Sequence, residues 1–344
     1  MPRVSRRHLV DLFERRVSDY PRALGFSPDG TRLGIGVADG ALLVLDARDG
    51  RTLFETKLPD TVSAVAFAPD NEGLAVGCHD GLARLYDRAG ALKAELPSGG
   101  RNWVEHLAWS STSVLAAAAG KTVRLWSSKG EPVLETAAHP STITGLAFSG
   151  DGQRLFTSSY GGVRVWTLDA AASRALAWKG SLISLALSPK DDVVACGSQD
   201  CSVHFWRLAL AEAVDSEMRG YPAKPSSLAW SADGGLLATT GAQTICVWRF
   251  EGDGPEGSKP WVLKGHEQLV TQLAFARNER LLASAGDDGD ILLWSLGEGL
   301  KPAGLAPMSG AVSGLRFSPD DGLLAAADAN GLVRVFRPMK ETRS

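Results

Sequence analysis

A short apolar run ending in an aromatic residue, commonly followed by a Ser-Pro-Asp-Gly turn, recurs along the whole chain and constrains its fold more than any other feature. The clearest copies are LGFSPDG at 24–30, VAFAPD at 65–70, LAFSGDG at 146–152 and LRFSPDD at 315–321; weaker ones begin at 107, 185, 228 and 273. Their anchors are Phe26, Phe67, Trp109, Phe148, Leu187, Trp230, Phe275 and Phe317, spaced by 41, 42, 39, 39, 43, 45 and 42 residues. Inside each unit a period-two apolar run, a turn, a run such as LLASAG at 281–286 and a third such as ILLW at 291–294 read as three strands. A further extended stretch, for example EPVLETAA at 131–138 or KPWVLKG at 259–265, supplies a fourth, and no helical period appears within the units.

Four antiparallel strands repeated every forty or so residues fit the blade of a β-propeller, in which radial repetition leaves only short sheet edges. Eight anchors predict an all-β fold of eight blades, with seven as the alternative, in one domain spanning 1–344. The third strands close on RLW, RVW, HFW, CVW and LLW at Trp126, Trp166, Trp206, Trp248 and Trp294. On these residues the chain resembles the WD-repeat family, although its tryptophans are never followed by the family's aspartate. The resemblance also implies a turn aspartate six positions before the strand end. Asp39, Asp80, Asp200 and Asp288 match it, with Asn330 standing in the last unit. It further implies that His266, Ser284, Asp288 and Trp294 form a buried structural tetrad rather than a catalytic triad. His139 keeps the histidine's place in the fourth unit without the aspartate.

Strand counting leaves the eighth blade one outer strand short, and HLVDLF at 8–13 has no blade of its own. The segment 1–20 is therefore expected to close the ring as a strand, an amphipathic helix lying outside it being the alternative. The longest insertions, 251–260 and 211–224, are expected as surface loops. Arginines 84, 124, 164 and 334, two residues before the strand-ending aromatic, are expected on a solvated blade face.

At 344 residues, 44% hydrophobic and with a net charge of −3, the chain lacks the basic balance of a nucleic-acid binder. Asp11 and Glu14 interrupt the apolar stretches near the start, so neither a signal-peptide core nor a membrane span is expected there. The four cysteines have no CxxC spacing, which argues against a zinc site or a disulfide framework and favours a reducing cytoplasm. His79 beside Cys78, and Cys196 near Cys201, lack a third ligand at suitable spacing, so no metal and no cofactor are expected. The Ala/Gly/Arg-rich composition would suit a bacterial chain.

In propellers of this type the loops entering the innermost strand and the turns between second and third strands gather at one mouth of the channel. That rule nominates Asn102, Trp103, Glu105, Gln268 and Leu269 from the loops, and His79, Tyr160, Gln199 and Asp287 from the turns, as partner-binding residues. With no nucleophile elbow or phosphate loop in the sequence, the expected function is a non-catalytic scaffold that binds a protein partner, as a monomeric ring. The alternatives are a cofactor-binding or enzymatic eight-bladed propeller, for which ALLVLDARDGRTLFE at 41–55 resembles quinoprotein repeats, and small-ligand recognition at the mouth.

Overall fold

The computed structural model describes residues 6–99, 102–169, 172–209, 215–252 and 254–340. These residues form eight antiparallel sheets and no helix. In the first blade the chain runs outward through Pro21–Phe26, Arg32–Val37, Ala41–Asp46 and Thr52–Lys57, each strand bonded to the next. The same order repeats around an eight-bladed propeller. In the fourth blade the second and third strands form one stretch, Arg154–Thr167, which folds back at Gly161 and Gly162, both at positive φ. There the Thr157 hydroxyl donates to the Arg164 carbonyl.

Turn chemistry explains the repeat. In the first Ser-Pro-Asp-Gly turn, Asp29 accepts from the Ser27 hydroxyl and from the Thr31 amide, while the Gly30 amide closes on the Ser27 carbonyl at 2.8 Å. At the opposite end of the blade Asp39 accepts from the Ala41 amide, and Gly40 follows at φ 93°. A Cβ on Gly40 would lie 2.5 Å from the Leu58 carbonyl oxygen, so glycine is required there for space as well as for backbone angle.

The core lies between the blades rather than inside any one of them. Eight apolar clusters fill the eight gaps, from Leu42, Val62 and Val76 between blades one and two to Leu33, Ala325 and Val333 between blades one and eight. Each fully buried aliphatic side chain contributes about 1.5–3 kcal/mol of transfer free energy. Polar clamps fix the angle between sheets. Hydroxyls near the start of the inner strands donate to the next blade's backbone, Thr144 to Leu182 O at 2.9 Å and Thr271 to Val312 O at 3.0 Å. The Trp109 and Trp230 indoles donate back to Ala66 O and Ala186 O.

The N-terminal segment is a strand, Arg7–Arg16, laid antiparallel along Leu332–Lys340 with a bulge between Asp11 and Phe13. It is the outer strand of blade eight, so both chain ends share one sheet; residues 1–5 lie outside the described residues. Two expectations change. The recurrent arginines do not stand on a solvated face but reach the preceding blade or turn. Arg124 donates to Pro97 O at 2.7 Å, Arg334 to Pro307 O at 2.6 Å and Arg164 to Ala138 O at 3.4 Å, while buried Arg84 bonds Asp80 and Glu95. Residues 211–224 are not simply a loop, because Asp215–Met218 is the outer strand of blade five; residues 211–214 lie outside the described residues. The stretch 251–260 does connect strands at the surface, and its Glu256 pairs with Arg207 at 3.0 Å.

Candidate binding face

The loops that enter the inner strands and the turns between second and third strands leave the blades at the same end. They are tied together by backbone bonds such as His79 N to Thr61 O at 3.0 Å and Asp287 N to Leu269 O at 2.9 Å. Trp103 stands on this face with 57% of its surface exposed, just before the inner strand Val104–Trp109. Its ring lies flat on that of His79 from the neighbouring blade, with centroids 4.3 Å apart and planes 6° from parallel. His79 Nε2 is 3.0 Å from Glu105 Oε1, an ion-pair distance at an angle that makes no hydrogen bond. Glu105 in turn lies 3.8 Å from Arg22 of blade one. Four residues from three blades therefore form one connected group.

The other nominated residues are spread around the same rim. Asn102 is exposed and donates to Gly99 O at 3.3 Å. Tyr160 is 47% exposed, its amide held by the Ser141 hydroxyl at 2.9 Å. Gln199 accepts from Lys224 Nζ at 2.9 Å, and Gln268, Leu269 and Asp287 are exposed on blade seven. These positions do not converge on one pocket. The structure brings together His79, Trp103, Glu105 and, unforeseen from the sequence, Arg22.

The conspicuous polar residues elsewhere are engaged in holding blades together. His266 Nδ1 contacts Asp288 Oδ2 at 2.9 Å, His266 Nε2 contacts Ser284 Oγ at 2.8 Å, and Trp294 Nε1 donates to the same Oγ at 2.8 Å. Blade four repeats the motif with His139, Thr157 and Trp166, and blade six substitutes a tyrosine, Trp248 Nε1 donating to Tyr221 Oη at 2.7 Å. Burial, reinforced by the Arg164 charge and opposed by a bond to Lys121 O, pushes the His139 pKa down to about 4. In blade five Cys196 occupies the hydroxyl's place, and the Trp206 indole N–H has no partner.

A second relay escaped the sequence reading. His204 Nδ1 contacts Asp215 Oδ1 at 2.9 Å and His204 Nε2 contacts Ser202 Oγ at 2.7 Å, with Trp178 stacked on the imidazole at 3.7 Å. Asp200 and Glu217 also approach, so Asp200, His204 and Glu217 are the one group among the described residues able to converge on a cation. Both ring nitrogens of His204 already have partners within the protein. Ser202 is 2% and His204 0% exposed, which leaves no approach for a substrate to a serine nucleophile. The cysteines are free thiols, and Cys78 Sγ lies 3.2 Å from Asp60 O.

Fold and rim together define a closed eight-bladed propeller presenting an aromatic-bearing face. The model of the WD domain, G-beta repeat family matches residues 51–87, 130–167, 176–207, 216–249, 257–295 and 305–337, which is more than half of the chain, and the chain belongs to that family. Among curated proteins it is 27% identical over 189 residues to the Target of rapamycin complex subunit wat1 of Schizosaccharomyces pombe, covering 53% of this chain and 60% of that protein. It is 26% identical over 191 residues to the Protein LST8 homolog of Drosophila melanogaster, covering 52% and 61%. It is also 26% identical over 327 residues to Telomerase protein component 1 of Rattus norvegicus, covering 93% of this chain and 11% of that protein. The chain thus spans about three fifths or less of these relatives' lengths. The crystal structure of the computationally designed Ika8 protein matches with a TM-score of 0.80 at 20% identity, covering 97% of this chain and 99% of that one, which is a likeness of fold. None of these relatives is bacterial, so they lend nothing to the source that composition had suggested.

Proposed function

We propose that this chain is a non-catalytic scaffold, a cytoplasmic monomeric ring that binds a protein partner on the face carrying Trp103. The observation that carries this reading is an exposed indole held rigid before any partner arrives. Stacking on His79 removes the rotamer freedom that binding would otherwise have to remove, and Glu105 lies beside the stack. An aromatic face next to a carboxylate suits a cationic or aliphatic side chain of the partner. Family membership supports the reading, since relatives include proteins named as subunits of complexes. Four free thiols support a reducing compartment.

The quinoprotein-like stretch has a structural explanation. It comprises the third strand, turn and outer strand of blade one, where Asp46 and Asp49 accept from the Arg48 and Arg51 amides. The test is affinity capture from native cells with the wild type, Trp103→Ala and Tyr160→Ala in parallel, followed by titration of the captured partner. Trp103→Ala is expected to weaken binding by tenfold or more, about 1.4 kcal/mol, while an exposed site changes stability by only about 0.5 kcal/mol. Equal retention of partners by both variants would exclude this face.

A further inference from the structure

The residue just before each inner-strand anchor is Gly25 in blade one and alanine in each of the next six blades; in blade eight it is Arg316. Small residues suit this level of the ring, where a Cβ on Gly25 would already contact Val65 of the next blade at 3.5 Å. An arginine placed there finds room toward the axis. Arg316 lines two cavities of the central channel, one of about 210 Å³ bounded by blades one to four and eight, the other of about 510 Å³ bounded by blades six to eight. Its side chain is accessible to channel water while walled in by inner strands.

Its guanidinium makes one hydrogen bond, from Nη1 to the adjacent Leu315 carbonyl at 2.8 Å. Enclosure alone pushes the Arg316 pKa down, with no neighbouring carboxylate to counter it. Arginine nevertheless stays charged, so the channel holds an enclosed cation whose remaining N–H groups face channel water. The surroundings add to that field. Arg22 borders the smaller cavity and Arg277 the larger, whereas the one acid lining either is Glu105, already beside His79 and Arg22. His106 also borders the smaller cavity, but burial pushes its pKa down and it adds no charge at neutral pH. A chain of net charge −3 therefore encloses a positive channel, and its low-dielectric walls strengthen the field there.

We propose that the central channel is a binding site for a small oxyanion, a phosphate or carboxylate group, seated on Arg316. A planar guanidinium presents paired donors to two oxygens of either group, and such charge-assisted bonds are strongest where water is restricted. The site is centred on Arg316; it shares Arg22 and Glu105 with the Trp103 group but makes no use of the indole itself.

The test titrates inorganic phosphate, and separately acetate, into the full chain at constant ionic strength set with chloride, reading heat of binding and melting temperature. Phosphate or acetate at millimolar concentration is expected to bind and raise the melting temperature of the wild type. Arg316→Ala, which installs the residue of six other blades and is expected to fold, should weaken binding tenfold or more. Arg316→Lys should retain part of it, and Trp103→Ala all of it. Response to phosphate alone, to acetate alone or to both identifies which oxyanion the site takes. A wild type that binds neither, or an Arg316→Ala variant that binds as well as the wild type, overturns the proposal.

Discussion

Single residues decide how the repeated motif is read. Ser284 accepts from Trp294 and meets His266, so Ser284→Ala strands two buried nitrogens at once. The expected cost is about 2–4 kcal/mol in urea unfolding, with little change in the exposed face. His139 makes stability depend on pH. Folded, it stays neutral down to about pH 4; unfolded, it takes up a proton near 6.5. Between those values the unfolded chain binds the extra proton, so stability falls as pH drops through this window, by about 3 kcal/mol in all. His139→Gln should flatten that slope when urea midpoints at pH 4.5 and 7 are compared, even if the variant is weaker at neutral pH. The tetrad was legible because its members keep fixed offsets within one repeat. The stack of His79 on Trp103 was not, because it joins two repeats whose rim loops carry no common pattern. Arg316 was legible in principle, as the one break in a column of glycine and alanine, yet becomes meaningful only once inner strands are arranged around an axis.

At the scale of elements, turn chemistry and period-two patterning announced nearly every inner, second and third strand. Outer strands were harder to place, because they bury one side only. Asp215–Met218 has little β-propensity and reads as an insertion, yet a vacant edge and the bond from Asp215 to His204 make it a strand. The Arg7–Arg16 strand was inferred from an unfilled edge rather than from its own residues. It is anchored more firmly than a terminal strand needs to be. Arg7 is 6% exposed, its Nη1 bonds Glu279 at 2.7 Å and its Nε bonds Ser295 at 3.2 Å, while Phe13 packs on the core shared by blades one and eight. Deleting residues 1–16 is expected to cost roughly 3 kcal/mol or more and to lower the melting temperature by on the order of 5–10 °C. A synthetic peptide of residues 6–16 should restore part of the loss in proportion to its concentration. An unchanged melting curve would show that the ring closes without this strand.

For the whole molecule, the even distribution of eight cores means that no blade is an independent folding unit; each depends on both neighbours. Rigidity of this kind favours recognition by a preformed surface over recognition by rearrangement. It also holds in place two faces where the molecule can meet a ligand, an outward aromatic rim and an inward positive channel, which adjoin at Arg22 and Glu105. The placement of the first strand in the last blade has a consequence for biosynthesis. At roughly 5–20 residues per second, the ribosome takes on the order of 15–65 s to pass from Arg7–Arg16 to its partner Leu332–Lys340, and over that time the earlier strand has nothing to pair with. Blades one to seven can assemble in order behind it, but the circle stays open until Leu332–Lys340 has been made. A nascent chain stalled before Leu332–Lys340 would expose an unpaired sheet edge at each side of the open ring, a form that quality-control machinery could tell from the closed one.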